Sequence, residues 1–165
     1  MAQAHEVDDS AVAVRRALSD AYRLLRYRPR SVRELQDRLQ LRGHPSAVIH
    51  QVATILEARG ELKDRQFARL WAESRLRSYC GPRRIALELT QRGVARPIVT
   101  QALAQLGEAC DERAVAQAFI VRRLERQQHA SCAVQWRRLS GQLARRGFAP
   151  DLIEDVLRTC LKRHP

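Results

Sequence analysis

Arginine is the residue type on which any chemistry of this chain has to rest. The sequence holds 30 Lys+Arg against 18 Asp+Glu, a formal net charge of +12, and all of those cations except Lys63 and Lys162 are arginine. A guanidinium is a planar fork that grips phosphate or carboxylate through two parallel hydrogen bonds. The surplus therefore points to an anionic partner, although a preference for Arg over Lys also follows from genomic base composition. The arginines cluster in three places with aromatics among them. Arg26, Arg28 and Arg30 flank Tyr27 and Pro29. Arg75, Arg77, Arg83 and Arg84 flank Tyr79, and Arg122, Arg123, Arg126, Arg137 and Arg138 accompany Trp136. Basic residues interleaved with aromatics suit a surface that tracks a phosphate backbone or an acidic groove.

Nothing else in the sequence offers catalysis. It has no Gly-rich phosphate loop, no HExxH and no nucleophile elbow. His5, His44, His50, His129 and His164 are scattered, and none is followed by a second histidine one turn on; they read as solvated surface residues. Cys80, Cys110, Cys132 and Cys160 contain no CxxC pair and read as reduced thiols, Cys132 and Cys160 as packing residues. Acid pairs such as Asp111-Glu112 and Glu154-Asp155 fall near helix starts, where carboxylates complement the helix dipole. The expectation is a non-enzyme without metal or cofactor. No apolar run approaches the roughly 20 residues a bilayer span needs, and the start lacks a basic segment followed by an apolar one; the chain is expected to be cytoplasmic.

The elements that must position the arginines repeat. An Arg-Gly pair ends a helical pattern three times, at Arg42-Gly43, Arg92-Gly93 and Arg146-Gly147, spaced by 50 and 54 residues. Eight and four residues before each glycine stand Leu35 and Leu39, Ile85 and Leu89, and Leu139 and Leu143. Six, nine and thirteen residues after it stand Ile49, Val52 and Leu56, then Val99, Ala102 and Leu106, then Ile153, Val156 and Cys160. Those spacings give one apolar face per helix. The glycine suits a left-handed C′ position, and Pro45, Pro97 and Pro150 suit the first turn of the next helix.

A longer helical stretch precedes each pair. One carries Val14, Leu18, Ala21, Tyr22 and Leu25. The next opens at Asp64 with Phe67, Ala68, Leu70 and Trp71, and the last at Asp111 with Val115, Ala118 and Phe119, running to about Gln128. Ser31 with Glu34 predicts a capping box. No segment alternates with period two. The predicted fold is all-α: three tandem three-helix repeats over 11–60, 61–110 and 111–165 in an elongated curved array, preceded by a flexible acidic tail at 1–10. Stacked units of this size present an extended surface. Each unit contains a helix-turn-helix arrangement, but the second helices carry few groups for base edges, and Glu154-Asp155 would repel a phosphate-lined groove.

The pattern resembles the RecX family of bacterial recombinase regulators. Arg28, Arg30, Ser31, Glu34-Leu35 and Leu39 are similar to the family's first unit. Asp64, Phe67-Ala68, Trp71, Ser74-Arg75, Tyr79, Gly81-Pro82, Arg84-Ile85, Glu88-Leu89 and Arg92-Gly93-Val94 resemble its central block almost position for position. Leu139, Leu143, Arg146-Gly147-Phe148 and Ile153 fit the third unit less tightly, and Lys63 stands where many members carry an acid. The resemblance implies a protein that binds the RecA recombinase filament on single-stranded DNA; double-stranded DNA is a further candidate partner, and the chain is expected to be monomeric. It would limit recombination, ATP hydrolysis and coprotease activity, with no catalytic residues. The alternatives are a general nucleic-acid-binding helical protein without a dedicated protein partner, and a purely scaffolding helical repeat.

Overall fold

The computed structural model describes the backbone of residues 2–125 and 131–162, and the side chains of 10–125 and 131–161. Among the described residues there are nine helices and no strand: α1 (Ala2–Tyr27), α2 (Val32–Gln40), α3 (Ser46–Ala58), α4 (Asp64–Arg77), α5 (Pro82–Gln91), α6 (Arg96–Ala109), α7 (Glu112–Leu124), α8 (Cys132–Arg145) and α9 (Pro150–Lys162).

Local chemistry sets these boundaries. Ser31 caps α2, its side chain accepting from the Glu34 N–H at 3.1 Å, and Asp111 caps α7 by accepting from the Arg113 N–H at 2.8 Å. Gly43, Gly93 and Gly147 have φ of +82°, +76° and +86°, the left-handed conformation that ends a helix at little cost only for glycine. Pro150 opens α9 and Pro45 immediately precedes α3. All fifteen apolar positions placed by counting from the three glycines are buried.

The longer helices depart from the periodicity in places. α1 begins at Ala2, so residues 2–10, expected as a tail, continue the first helix; no glycine or proline interrupts residues 2–27. Tyr22 and Leu70 are exposed and Ala118 lies on the outer face, whereas Ala17, Ala72, Ala116 and Ile120 are buried. Small alanines carry little apolar weight in a pattern, so the buried faces lie a residue or two away from the periodic ones. Cys132 is exposed, not packed, while Cys160 is buried.

The chain forms two compact units, Met1–Ala68 with Gln91–Ala95, and Arg69–Thr90 with Arg96–Pro165. In the first, α1 and α2 pack on α3 around Ala17, Ala21, Leu35, Leu39, Val52 and Leu56. In the second, α7 and α8 pack on α9 around Phe119, Ile120, Leu139, Leu143, Phe148 and Val156. Burying each such large side chain contributes about 1.5–3 kcal/mol.

Candidate interaction surfaces

In the first unit the carboxylate of Glu34 gathers arginines. Arg28 donates to it through both terminal nitrogens at 3.0 Å each, and Arg92 pairs with the same group. Burial pushes the Glu34 carboxyl up, but the Arg28 hydrogen bonds and the charges of Arg92 and Arg28 outweigh it and hold it below the usual carboxylate range. Arg30 is only 8% exposed; burial and then the neighbouring Arg28 charge lower its pKa. Arg26 stays exposed and shares a face of α1 with Arg15, Arg23, Leu18 and Tyr22.

Asp64, which opens α4, accepts the Val32 N–H at 2.9 Å. That N–H is one of the donors a helix start leaves unpaired. Burial raises the Asp64 carboxyl, and the Val32 N–H only partly offsets this. His44 is also not solvated: it lies 2.9 Å from Asp20, and its side chain is 8% exposed. The hydrogen bond with His44 is the main cause holding Asp20 below its ordinary value.

Glu88 plays the Glu34 role in the second unit. Arg75 lies 2.8 Å from it, Arg84 donates at 3.0 Å and the Trp71 indole N–H at 3.2 Å. Burial again pushes the carboxyl up, and Arg75 and Arg84 overcome it. Arg28, Arg75 and Arg84 therefore spend much of their bonding capacity inside the fold, whereas Arg30 is buried with its Nε donating to the Leu24 carbonyl at 3.4 Å and its Nη1 without a hydrogen-bond partner among the described residues. Arg26, Arg77, Arg83, Arg122, Arg137 and Arg138 are exposed and make no ion pair among the described residues. Arg123 sits over the Phe119 ring at 5.5 Å. Arg126 lies outside the described residues.

Two of the three Arg-Gly turns do more than end a helix. The Arg92 carbonyl accepts from Ser31 Oγ at 2.5 Å, inside the first unit. Inside the second, the Arg146 carbonyl accepts from the Gly81 N–H at 2.7 Å and the Gly147 carbonyl from the Arg83 N–H at 3.2 Å. Each turn seats on the start of a helix whose N–H groups need acceptors. A Cβ on Gly93 would strike the Arg33 side chain, and one on Gly147 the Arg84 backbone. Gly43 faces open space, and Arg42 pairs with Asp20 at 2.6 Å instead. The sequence showed the recurrence but not this seating, because the partner of each turn lies some 60 residues away.

The second unit also holds a cleft of about 830 Å³ lined by Arg83, Leu87, Trp136, Gly141, Arg145 and Phe148 among others. Its volume falls in the range of ligand sites. Among the described residues no group of three or more His, Cys, Asp and Glu could hold a metal, and no helix is long and apolar enough to cross a membrane.

Three family models match in chain order: RecX, first three-helix domain, over residues 17–54; RecX, second three-helix domain, over 64–103; and RecX, third three-helix domain, over 111–157. The chain belongs to the RecX family. Regulatory protein RecX of Mycobacterium avium (strain 104) is 38% identical over 138 residues, 82% of this chain and 79% of the relative. That of Halorhodospira halophila (strain DSM 244 / SL1) is 37% identical over 151 residues, 90% of this chain and 88% of the relative. The crystal structure of RecX from Lactobacillus salivarius superposes with a TM-score of 0.77 at 19% identity, covering 91% of this chain and 97% of that one; its fold is the same. Each of the three RecX domains contains one Arg-Gly turn, and the second contains Asp64, Trp71, Arg75, Arg84 and Glu88. In this RecX-family chain the residues that carried the resemblance are thus largely those that bond its units internally.

Proposed function

We propose that this RecX-family protein regulates the RecA recombinase by binding its filament on single-stranded DNA, limiting recombination, ATP hydrolysis and coprotease activity. The observation that carries this reading is the set of exposed arginines, Arg26, Arg77, Arg83, Arg122, Arg137 and Arg138, none of which makes an ion pair among the described residues, Arg83 acting on Glu112 through its charge alone. Cations of this kind keep their attraction for an external anion, whereas the two on each of Glu34 and Glu88 share one negative charge and are held by it within the fold. The three repeats, 11–60, 61–110 and 111–165, each contribute at least one of them. We assign the contact to these six before Arg28, Arg30, Arg75 and Arg84; Tyr79, Arg123 and Arg126 complete the candidate surface.

A general nucleic-acid-binding protein would use the same cations without a protein partner. The two readings separate in one assay. RecA is allowed to hydrolyse ATP on single-stranded DNA at fixed salt, this protein is added, and excess duplex DNA is supplied as competitor. Inhibition that persists supports a regulator with a protein contact. Inhibition that vanishes in proportion to competitor supports the general binder.

A further inference from the structure

The second unit contains a group of cations that no carboxylate among the described residues pairs with. Arg122 and Arg123 on α7 and Arg146 after α8 line one small cavity of about 170 Å³ with Tyr79 and Phe119, and no acid lines it. Arg146 lies 4.3 Å and Arg123 5.5 Å from the centre of the Phe119 ring. Arg146 is anchored there, donating to the Ser78 and Tyr79 carbonyls at 2.7 and 3.1 Å. None of the three makes an ion pair among the described residues. Like charges held this close repel one another, so the arrangement is suited to an anion arriving from outside.

The wall of the cavity is a second, independent observation. Tyr79 has φ of +59°, and it is the only described non-glycine residue with positive φ; Gly43, Gly60, Gly93 and Gly147 hold the other such positions. The Tyr79 N–H donates to the Leu76 carbonyl at 2.8 Å and the Cys80 N–H to the Arg75 carbonyl at 3.0 Å, so Tyr79 is the left-handed residue that ends α4, a place where a bulky side chain is strained. This conformation sets the Tyr79 ring 6.0 Å from Phe119 at 52°, beside the arginines.

We propose that Arg122, Arg123 and Arg146 clamp a backbone phosphate of single-stranded nucleic acid, with the half-buried Tyr79 ring as the wall beside which the adjoining base lies and the buried Phe119 ring as the support on which Arg123 and Arg146 rest. The guanidinium fork matches the two non-bridging oxygens of a phosphodiester, and a cationic groove with an aromatic platform suits a single strand. An acidic protein segment would use the charges but not the Tyr79 ring. The inference rests on the reading that the exposed cations of this protein face a nucleoprotein filament, and it assigns this cavity to the nucleic acid.

The test is fluorescence anisotropy with labelled oligo-dT across a salt series. The Arg122→Ala/Arg123→Ala double variant is expected to bind at least about tenfold more weakly, with a salt slope shallower by roughly 0.7 for each phosphate it no longer neutralises. Arg122→Lys/Arg123→Lys is expected to keep the slope and lose part of the affinity. Pyrophosphate is expected to displace the oligonucleotide from wild type at lower concentration than poly-glutamate of equal charge. Unchanged affinity and slope in the double variant would overturn the clamp, as would displacement preferring poly-glutamate. A melt on each variant checks folding; should the double variant melt early, Arg122→Ala alone carries the comparison, since Arg122 is exposed. Recombinase inhibition is read on the same proteins. Loss of oligo-dT binding with inhibition retained upholds the clamp and leaves the protein contact to other arginines. Loss of RecA inhibition by wild type under duplex competition would remove the regulatory reading without touching the clamp.

Discussion

Glu34 and Glu88 divide the arginines of this protein into those that build it and those left for a partner. Each is nearly buried, with side-chain exposures of 16% and 11%, and each binds at least two arginines. Removing Arg92 by Arg92→Ala should therefore cost about 2 kcal/mol in urea denaturation, the scale of hydrogen bonds to a charged group. Arg137→Ala, which breaks no internal pair, should stay within about 0.5 kcal/mol. The acid limb follows from the same groups. Glu34, Glu88 and Asp20 titrate below their ordinary values in the fold, so the stability they contribute is present above the unfolded carboxylate range and is lost as pH falls through the depressed values. Asp64 and Glu112 are raised, Glu112 by burial, and act with the opposite sign. Stability measured by urea titration should fall on acidification from pH 5. Glu34→Gln should flatten that fall and Asp64→Asn should steepen it.

The helix-ending turns show what an element can hide. Gly43→Ala should cost about 1–2 kcal/mol, the strain of a left-handed alanine. Gly147→Ala should cost clearly more, because its Cβ would also meet the Arg84 backbone that the turn seats against; equal losses in denaturation would refute the seating. Helix periods, caps and the left-handed glycines were legible because they depend on residues within a turn or two of one another. The capping of Ser31 on the Glu34 N–H and the burial of Leu39, Leu89 and Leu143 are of that kind. The bond from Ser31 to Arg92, the reach of Asp64 to Val32 and the pairing of Asp20 with His44 were not, since each joins residues 24 to 61 positions apart. For the same reason the arginine clusters were visible while their division into internal and external members was not. Arg28 and Arg30 look alike in sequence to Arg26, yet one closes on Glu34, one is buried and one is exposed.

For the whole molecule, the net charge of +12 is a surplus that the fold neutralises selectively. The carboxylates near the helix starts and at Glu34 and Glu88 consume their share, and the remainder lies on exposed arginines of α1, α4, α7 and α8 and at the start of α5. A regulator built this way should lose activity without losing structure when those exposed charges are reversed. It should lose structure first when the internal ones are. The most direct measurement compares two variants for thermal melting and for inhibition of RecA ATP hydrolysis on single-stranded DNA: Arg83→Glu/Arg137→Glu/Arg138→Glu, and Arg75→Glu. Contact through the exposed arginines requires that the triple variant melt within a few degrees of wild type and no longer inhibit, while Arg75→Glu melts markedly earlier. A triple variant that is folded and inhibits as wild type would contradict it.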